Sequence, residues 1–345
     1  MIKSLKLVNF RNFSEKYIDN FELKNFIVWE NWRWKTNILE ALSILCDNSI
    51  LKLWLDDLVK IWEEYFFIEI FDEQKGKVGF YYSKVDKKKN FLINNKKVTK
   101  KIFLENISRA VIFSPIFMNL FYLSPSLRRD FLDEALKSSY FDYENLLKNY
   151  KKILKSRNMF LKAIYDWKAE KKDIKFWDEK FISVAEEIYN YRFKFVSFLA
   201  DSIKNIKDYF SFWISDISFE YISKVSKNRV SEDIKEYLEK NIDRDIILWK
   251  TAIWPHIDDF DIKIDNISLS RFWSRWEVKS VIIYLKLLEG IFIEKKTWKK
   301  PILIIDDLLS ELDNNHKNIL LEKIIYYQSF ISNIVEDPDS FYIKI

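Results

Sequence analysis

One stretch of sequence decides how this chain is interpreted: Trp29-Glu30-Asn31-Trp32-Arg33-Trp34-Lys35-Thr36. A short apolar segment at 26–28 precedes it and predicts a buried strand. Residues 35–45 follow with apolar side chains at helical spacing, which predicts a helix. A loop between a strand and a helix is where the phosphate-binding pattern G-x-x-x-x-G-K-[ST] occurs. Lys35 and Thr36 fit that pattern, whereas tryptophan stands at both of its glycine positions.

The chemistry of such a loop depends on its glycines. Glycine lets successive backbone N–H groups curl around phosphate oxygens, while Lys35 would reach the β- and γ-phosphates and Thr36 would hold Mg²⁺. Left-handed backbone angles cost a residue with a side chain about 1 kcal/mol or more. The indoles of Trp29, Trp32 and Trp34 would also fill the volume that a phosphate needs. Tryptophan at these positions is therefore unfavourable for phosphate binding.

Composition shows the same anomaly along the whole chain. Its 345 residues include 3 glycines and 13 tryptophans, although glycine averages about 7% of residues in soluble proteins. Tryptophan also stands at an expected glycine in four further segments: 166–168, 254–256, 274–277 and 297–299. The first is a natural helix C-cap, the second would read G-P-H, the third S-x-G-[QE], and the last is a turn.

We infer from this pattern that most of the tryptophans are UGA codons, which the source cell reads as glycine. Trp177, on an apolar helical face, is the best candidate for a genuine tryptophan. The alternative is a decayed relative that gained aromatic core residues. Decay would not place one residue type so selectively at glycine positions.

Length, charge and cysteine content exclude several classes of protein. With 345 residues, 48% of them hydrophobic, the chain can bury a large core as two lobes or one large α/β domain. Its net charge of +5 permits nucleic-acid binding without requiring it. The single cysteine, Cys46, excludes a disulfide framework, and the 2 histidines argue against a histidine metal site. No segment resembles a signal peptide or a membrane span, so we expect a cytoplasmic location and no membrane association.

The order of predicted elements indicates an α/β fold in which helices are inserted between two groups of strands. Strands or hairpins are expected at 2–13, 26–28, 66–71, 78–82, 87–101, 110–113, 214–223, 261–266, 302–305 and 330–334. Helices are expected at 35–45, 143–165, 176–210, 231–241, 278–293 and 315–327. The two long helices in the middle of the chain would form an antiparallel pair.

With glycine at its three tryptophan positions, the loop at 29–36 reads G-E-N-G-R-G-K-T, and the chain resembles the RecF family of recombination mediators among the SMC/ABC-type ATPases. The resemblance covers nearly the whole chain. Besides the loop, it rests on segments in a fixed order, at 7–12, 113–115, 124–133, 254–259, 272–277 and 301–313. The chain departs from the family at Ile116 and Phe117, where an acidic pair is usual, and at Ile257, where arginine is usual.

The resemblance implies an ABC-type P-loop ATPase lobe, residues 1–118 and 250–345, with an inserted, mainly helical arm lobe at 119–249. The Walker A loop would bind ATP, supported by Asn37 at the start of the helix. Lys35 would neutralise phosphate charge, and Thr36 with Asp306 of the Walker B segment 301–307 would hold Mg²⁺. Asp307 would polarise the attacking water. Other roles stay open: an outer metal ligand for Asp307, a helix N-cap for Asp306, and an ordinary helix-start lysine for Lys35.

The signature loop at 272–277 would act on a second subunit. The resemblance implies that its residues Ser274, Arg275, Trp276 and Glu277 bind the γ-phosphate of ATP held by that subunit, with Asp313 at the same interface. Ser274 could equally be the N-cap of the helix that follows, and both roles are compatible because a helix N-terminus favours anions. Glu277 replaces the commoner glutamine and adds negative charge near that phosphate.

The function implied by the resemblance is ATP-dependent homodimerisation on double-stranded DNA, near single-strand gaps and junctions. The dimer would act with RecR, and often RecO, to help RecA replace single-strand-binding protein in repair, replication and the SOS response. Slow, DNA-stimulated ATP hydrolysis would release it. Two other interpretations stay open. One is a nucleotide-free DNA-binding or scaffold relic, if the tryptophans are literal, and the other is another SMC-like repair ATPase subunit.

For several charged residues, the sequence does not decide between a structural role and DNA binding. Arg128 and Arg129 could bind DNA phosphates or pair with the acids Asp133 and Glu134. A solvated helix face or a duplex contact would each explain the basic residues Lys151, Lys152, Lys155 and Arg157. A structural turn is the expected role of His256, Asp258 and Asp259. The basic hairpin at 87–101 is expected to be a solvated sheet edge.

Overall fold

The computed structural model describes residues 1–28, 32–46, 54–208, 216–253, 255, 257–333 and 342–344. The chain forms two compact units: unit 1 is Met1–Asn119 with Lys279–Ile345, and unit 2 is Leu120–Val278. Unit 1 contains a parallel and an antiparallel sheet, and unit 2 is mainly helical, so the predicted α/β fold is confirmed. The second boundary differs from the expected one at 249, because the strand at 259–264 pairs with the strand at 217–222.

The first part of unit 1 alternates strands with short helices. The strands are β1 (Ile2–Phe10), β2 (Phe13–Ile18), β3 (Lys24–Val28), β4 (Tyr65–Asp72), β5 (Gly76–Ser83), β6 (Lys89–Ile93), β7 (Lys96–Val98) and β8 (Ala110–Phe113). The helices are α1 (Trp32–Leu45), α2 (Leu55–Leu58) and α3 (Lys100–Asn106). All of these strands except β3 and β8 form the antiparallel sheet, in the order β2-β1-β4-β5-β6-β7. Alternation in β4 buries Phe66, Ile68 and Ile70, as expected for a strand with one face on the core.

Unit 2 is built around long helices whose apolar faces meet. Its helices are α4 (Pro125–Ser139), α5 (Tyr143–Tyr165), α6 (Lys175–Ser202), α7 (Val230–Leu248) and α8 (Leu269–Phe272). The strands β9 (Ile217–Ile222), β10 (Asp259–Ile264) and β11 (Ile267–Ser268) form a small antiparallel sheet. Helices α5 and α6 pack together, with the Tyr150 and Phe181 ring centroids 5.8 Å apart. The predicted bounds of α5 are confirmed.

The last part of the chain returns to unit 1 and completes its parallel sheet. Its elements are α9 (Arg275–Thr297), β12 (Ile302–Ile305), α10 (Asn314–Lys323), β13 (Ser329–Asn333) and β14 (Tyr342–Lys344). The parallel strands lie in the order β14-β3-β13-β12-β8. All residues of β8 and β12 are buried, which is typical of a parallel sheet covered on both faces.

Apart from α5, the predicted helices have bounds that differ from the expected ones; α7, for example, ends at Leu248 rather than 241. Two of the differences have local reasons. Helix α1 begins at Trp32 rather than Lys35, because tryptophan and arginine are tolerated in a helix whereas glycine costs about 1 kcal/mol. Helix α10 ends at Lys323, and a turn closed by the Tyr327 N–H and the Ile324 carbonyl follows it. The ends of three predicted segments, at 209–215 and 334, lie outside the described residues. Within the described part, no helix is both long and apolar enough to cross a bilayer.

Candidate nucleotide-binding site

The parallel sheet brings the predicted nucleotide residues to one edge. Helix α1, with Lys35, follows β3, and the acids Asp306 and Asp307 follow β12. Strand β13 lies between β3 and β12, so the carboxyl ends of all three strands are neighbours. Open parallel sheets bind ligands beyond the carboxyl ends of their strands. Helix α1 and the acids Asp306 and Asp307 therefore lie together where a nucleotide is expected.

The first turns of α1 carry the predicted phosphate-binding side chains, two of which are buried. Lys35 is 5% exposed and Asn37 is 8% exposed, while Thr36 is half-buried. The Trp34 ring packs edge-on against Phe13, with centroids 4.8 Å apart. The loop residues Trp29, Glu30 and Asn31 and the side chains of Trp32 and Arg33 lie outside the described part, so the predicted crowding of the phosphate site by indoles stays a prediction.

Asp306 is a half-buried carboxylate with charged neighbours. Burial raises its pKa above the ordinary 3.8, and the neighbouring carboxylates of Asp307 and Glu40 raise it further. A hydrogen bond from Ser332 and the nearby Lys35 ammonium act in the opposite direction but do not reverse the shift. A divalent cation bound here would offset the electrostatic repulsion among the carboxylates of Asp306, Asp307 and Glu40. Such clustered carboxylates are the environment expected for a metal ligand.

Asp307 leaves the sheet in an unusual backbone conformation. Its φ is 51°, in the left-handed region, which directs the chain away from β12. Its N–H donates to the Ser332 Oγ at 2.6 Å, and the Ser310 Oγ donates to its carbonyl at 2.7 Å. The turn after β12 is therefore held from two sides.

A second carboxylate near the site is also paired. Glu40 of α1 is 7% exposed and accepts two hydrogen bonds from the Arg11 guanidinium, at 2.9 and 3.0 Å. The Arg11 N–H donates to the Leu58 carbonyl at 2.7 Å, which fixes its turn. Sequence reasoning missed this pair, because the two residues are far apart in the chain and neither belongs to the phosphate loop.

The signature loop forms a capping box in unit 2. The Ser274 N–H and Oγ donate to the Glu277 Oε2 at 2.8 and 2.6 Å, and the Glu277 N–H donates back to the Ser274 Oγ at 3.4 Å. This reciprocal arrangement starts α9 and matches the S-x-x-E pattern of helix N-termini. Ser274 therefore acts as a helix N-cap, one of its two predicted roles. Arg275 and Trp276 lie in the first turn, and Trp276 is 45% exposed.

Asp313 starts the helix after the Walker B segment. Its side chain accepts a hydrogen bond from the His316 N–H at 2.9 Å and so caps α10. The same carboxylate lies 2.8 Å from the His316 Nδ1. Among the described residues, no group of three or more His, Cys, Asp or Glu side chains is placed so that it could hold a metal ion.

Among the described residues, four tryptophans have the left-handed backbone that glycine favours. Their φ angles are 73°, 60°, 51° and 57° for Trp62, Trp167, Trp249 and Trp298 respectively. A positive φ is a genuine outlier for a bulky residue. Trp62, Trp167 and Trp298 are 98%, 96% and 90% exposed, so the packing of their indoles does not explain the conformation.

The left-handed tryptophans lie where glycine normally ends helices and turns. After α5, the Trp167 N–H donates to the Ile164 carbonyl at 3.1 Å and the Lys168 N–H to the Ala163 carbonyl at 2.8 Å, which is a Schellman motif. Trp249 ends α7 with the same pair of bonds, and Trp298 ends α9 with one. Trp62 is the third residue of a turn in which the Glu63 N–H donates to the Lys60 carbonyl at 3.0 Å. Trp62 and Trp249 were not among the segments that sequence reasoning singled out.

The expected exposure of Arg157 and the expected acidic partners of Arg128 are wrong. Arg157 was expected on a solvated or DNA-binding helix face, yet it is fully buried and donates to Asp178 at 2.7 Å and Asp245 at 3.1 Å. Arg128 donates to both oxygens of Asp259, at 2.7 and 2.8 Å, rather than to Asp133 or Glu134. In both cases the acidic partner is distant in sequence, and helical periodicity cannot reveal such a partner.

A buried network explains the acidic turn of unit 2. Arg192, 1% exposed, donates to Asp133 at 2.8 Å and to the Pro255 carbonyl. The Tyr221 hydroxyl donates to Asp258 at 2.8 Å, which gives the turn a structural role. Trp254 and His256, from the same predicted motif, lie outside the described residues.

Comparison with known proteins gives one consistent result. No protein-family model matches the chain. The DNA replication and repair protein RecF of Thermoanaerobacter sp. (strain X514) is 30% identical over 347 residues, which cover 96% of this chain and 93% of the relative. A solved structure of the recombination mediator protein RecF with ATPγS, in the RecFOR pathway, has a TM-score of 0.88 at 28% identity and covers 100% of this chain and 96% of that one. For the corresponding structure with ATP, the TM-score is 0.84 at 28% identity, with 98% and 93% covered.

Proposed function

This chain belongs to the RecF family of DNA replication and repair proteins, and from that membership we propose that it binds ATP and DNA as a recombination mediator. The observation that carries the proposal is the sheet edge where α1, with buried Lys35, follows β3 and the acids Asp306 and Asp307 follow β12. The solved RecF structures with ATP and ATPγS support ATP as the nucleotide.

The residues at that edge fit a magnesium nucleotide. Mg²⁺ is usually held by one or two carboxylates together with phosphate oxygens and water, rather than by a cage of protein ligands. Asp306 and the Thr36 hydroxyl are donors of this kind. The bound cation would neutralise charge that develops on the phosphates. Lys35 would bind the β- and γ-phosphates, and Asp307 would orient the attacking water.

The signature loop and Asp313 complete the site of a second subunit in this proposal. The amides at the start of α9 and the Ser274 hydroxyl would bind the γ-phosphate of ATP held by the partner, which is favoured at a helix N-terminus. ATP would therefore join two copies of the chain, and slow hydrolysis would separate them. The ATP-joined dimer would bind double-stranded DNA at gaps and junctions and help RecA loading with RecR and RecO.

Phosphate binding requires glycine in the Walker A loop, so the proposal includes the reading of UGA as glycine. The left-handed conformations of Trp62, Trp167, Trp249 and Trp298 support it. At each of these positions glycine would remove backbone strain of about 1 kcal/mol. Trp177 is different, because it lies inside α6 and stacks edge-on with Phe176 at 5.2 Å. The proposal therefore keeps tryptophan at position 177.

Mass spectrometry of the protein from its own cells tests the recoding. Trypsin releases the peptides 25–33, 163–168 and 176–180, each bounded by basic residues. We expect glycine at 29, 32 and 167 and tryptophan at 177, so the third peptide is the internal control. Tryptophan at 29 and 32 would overturn the recoding and leave a loop that cannot bind phosphate in the usual way.

Nucleotide binding tests the function itself. Three chains are compared: the literal sequence, a chain with glycine at 29, 32, 34 and 276, and that chain with Lys35→Ala. We expect only the glycine chain to bind ATP by calorimetry and, with Mg²⁺, to form dimers on a gapped duplex by light scattering. A glycine chain that binds the duplex without any response to ATP would favour the nucleotide-free scaffold instead.

A further inference from the structure

One buried hydroxyl connects both Walker B acids. The Ser332 Oγ accepts the Asp307 N–H at 2.6 Å and donates to the Asp306 Oδ1 at 3.0 Å. Ser332 belongs to β13, the strand beside β12, and is 3% exposed. One donor and two acceptor sites are what a serine hydroxyl has, so both bonds can form at once. Sequence reasoning did not single out Ser332.

The backbone explains why a hydroxyl is needed at this point. Strands β12 and β13 are paired up to Ile305 and Ile331, after which the chain turns away through the left-handed Asp307. The Asp307 N–H therefore has no carbonyl of the neighbouring strand to bind. A buried N–H without a partner is costly, and the Ser332 hydroxyl supplies the partner. Its own proton then goes to Asp306, which sets the orientation of that carboxylate.

We propose that Ser332 is a positioning residue that orients Asp306 for the metal and Asp307 for the attacking water. This inference rests on the proposed function, since it concerns the same ATP site. The bond to Oδ1 directs Oδ2 of Asp306 toward the ligand, and the bond to the Asp307 amide holds the turn in which the second acid lies. Partners of metal-ligating carboxylates typically change metal affinity or activity about 10- to 100-fold when they are removed.

Ser329 provides a matched control for a purely structural effect. It lies in the same strand and is fully buried, but its hydroxyl donates to the Tyr327 carbonyl at 3.1 Å, at the opposite end of β13. Ser329→Ala removes a hydroxyl of the same type without touching Asp306 or Asp307. Any loss of metal affinity that Ser329→Ala shares with Ser332→Ala reports on the strand as a whole and not on Asp306 and Asp307.

The test measures metal binding apart from catalysis, in the chain with glycine at 29, 32 and 34. Mn²⁺ replaces Mg²⁺, and its affinity in the presence of ATP is measured by electron paramagnetic resonance. For Ser332→Ala we expect about 10-fold weaker Mn²⁺ binding or more, with ATP affinity in EDTA unchanged. Ser332→Thr keeps the hydroxyl and should restore Mn²⁺ binding. Ser332→Cys occupies the space of the serine side chain with a thiol, which is only a weak donor. It replaces the alanine variant if that variant does not fold.

Each outcome decides the assignment. Parent-like Mn²⁺ affinity in Ser332→Ala or Ser332→Cys would overturn it, as would an equal loss in Ser329→Ala. A loss of ATP affinity in EDTA would point to a distorted site instead of a positioning role, and would also overturn it. A parent chain that binds no ATP overturns the proposed function and this assignment together, whereas the other failures leave the proposed function intact.

Discussion

The guanidinium of Arg11 holds the carboxylate of Glu40 through two parallel hydrogen bonds, 2.9 and 3.0 Å long. Arg11 lies in the turn between β1 and β2, and Glu40 lies in α1, the helix that carries Lys35. The pair therefore fixes α1 against the antiparallel sheet. Two parallel bonds between charged groups are about twice as strong as neutral ones and set an orientation as well as a distance.

Removal of this arginine should destabilise unit 1. Arg11→Met leaves Glu40 buried without its partner, and we expect the free energy of unfolding to fall by about 2 kcal/mol. Arg11→Lys should lose less, because lysine keeps the charge but not the fork. Lys6→Met is the control, since Lys6 pairs with Glu15 at 2.8 Å on the solvent-exposed face of the same hairpin. Urea unfolding in which Lys6→Met costs as much as Arg11→Met would contradict the prediction.

Glycine should stabilise the literal chain at its left-handed tryptophans. Trp167→Gly and Trp298→Gly each relieve a strained helix end, and we expect each to raise the free energy of unfolding by about 1 kcal/mol. Trp177→Gly, inside α6, should lower it by about 1 kcal/mol or more. Urea unfolding of the three variants measures the difference. A loss of stability in Trp167→Gly would show that the tryptophan is suited to its position.

The charge of Glu277 should oppose ATP-dependent dimerisation. Its Oε2 accepts both donors of Ser274, at 2.8 and 2.6 Å, which are the groups proposed to bind the partner's γ-phosphate. Glu277→Gln removes the charge, and we expect a dimer that is tighter by about 1 kcal/mol, or roughly fivefold. Light scattering of the chain with glycine at 29, 32, 34 and 276, in the presence of Mg²⁺ and ATP, measures this, with Glu232→Gln in the first turn of α7 as the control. A weaker dimer would mean that the carboxylate is needed to hold Ser274 in place.

Stability should depend on pH through Asp258. Burial raises its pKa above the ordinary 3.8, although Arg192 acts in the opposite direction. The folded chain thus binds this proton more tightly than the unfolded chain, so the carboxyl favours folding most below pH 3.8 and loses that contribution as pH rises through its folded pKa. Asp258→Asn cannot titrate. The unfolding free energy of the parent minus that of the variant should therefore fall from about pH 4 toward pH 7 in urea titrations, and a rise would contradict the assignment.

Local patterns predicted most elements of this fold. The parallel strands β8 and β12 are short apolar runs, and α5 has an uninterrupted helical period. Each of these elements can therefore be predicted from its own residues alone. The predicted Walker A lysine and Walker B acids lie at one edge of the parallel sheet, as expected for residues that follow its strands. The predicted roles of these residues stay predictions until nucleotide binding is measured.

Partners that are distant in sequence were beyond such reasoning. Arg157 looked like one of several surface bases on α5, yet Asp178 and Asp245 bury it. Ser332 bonds to acids 25 and 26 positions before it. The pairing depends on which strands become neighbours, and periodicity along one segment holds no information about that.

The first reassigned codon of the proposed recoding lies early in the gene, at residue 29. Under the proposed recoding, a cell that reads UGA as a stop would release a peptide ending at Val28, the last residue of β3. That peptide contains β1, β2 and β3 but neither β4 nor β13, with which β1 and β3 pair. An isolated hairpin with unpaired edges is at best marginally stable in water. Under that recoding, a cell with the standard genetic code would therefore make only a fragment exposed to proteolysis and not the folded protein.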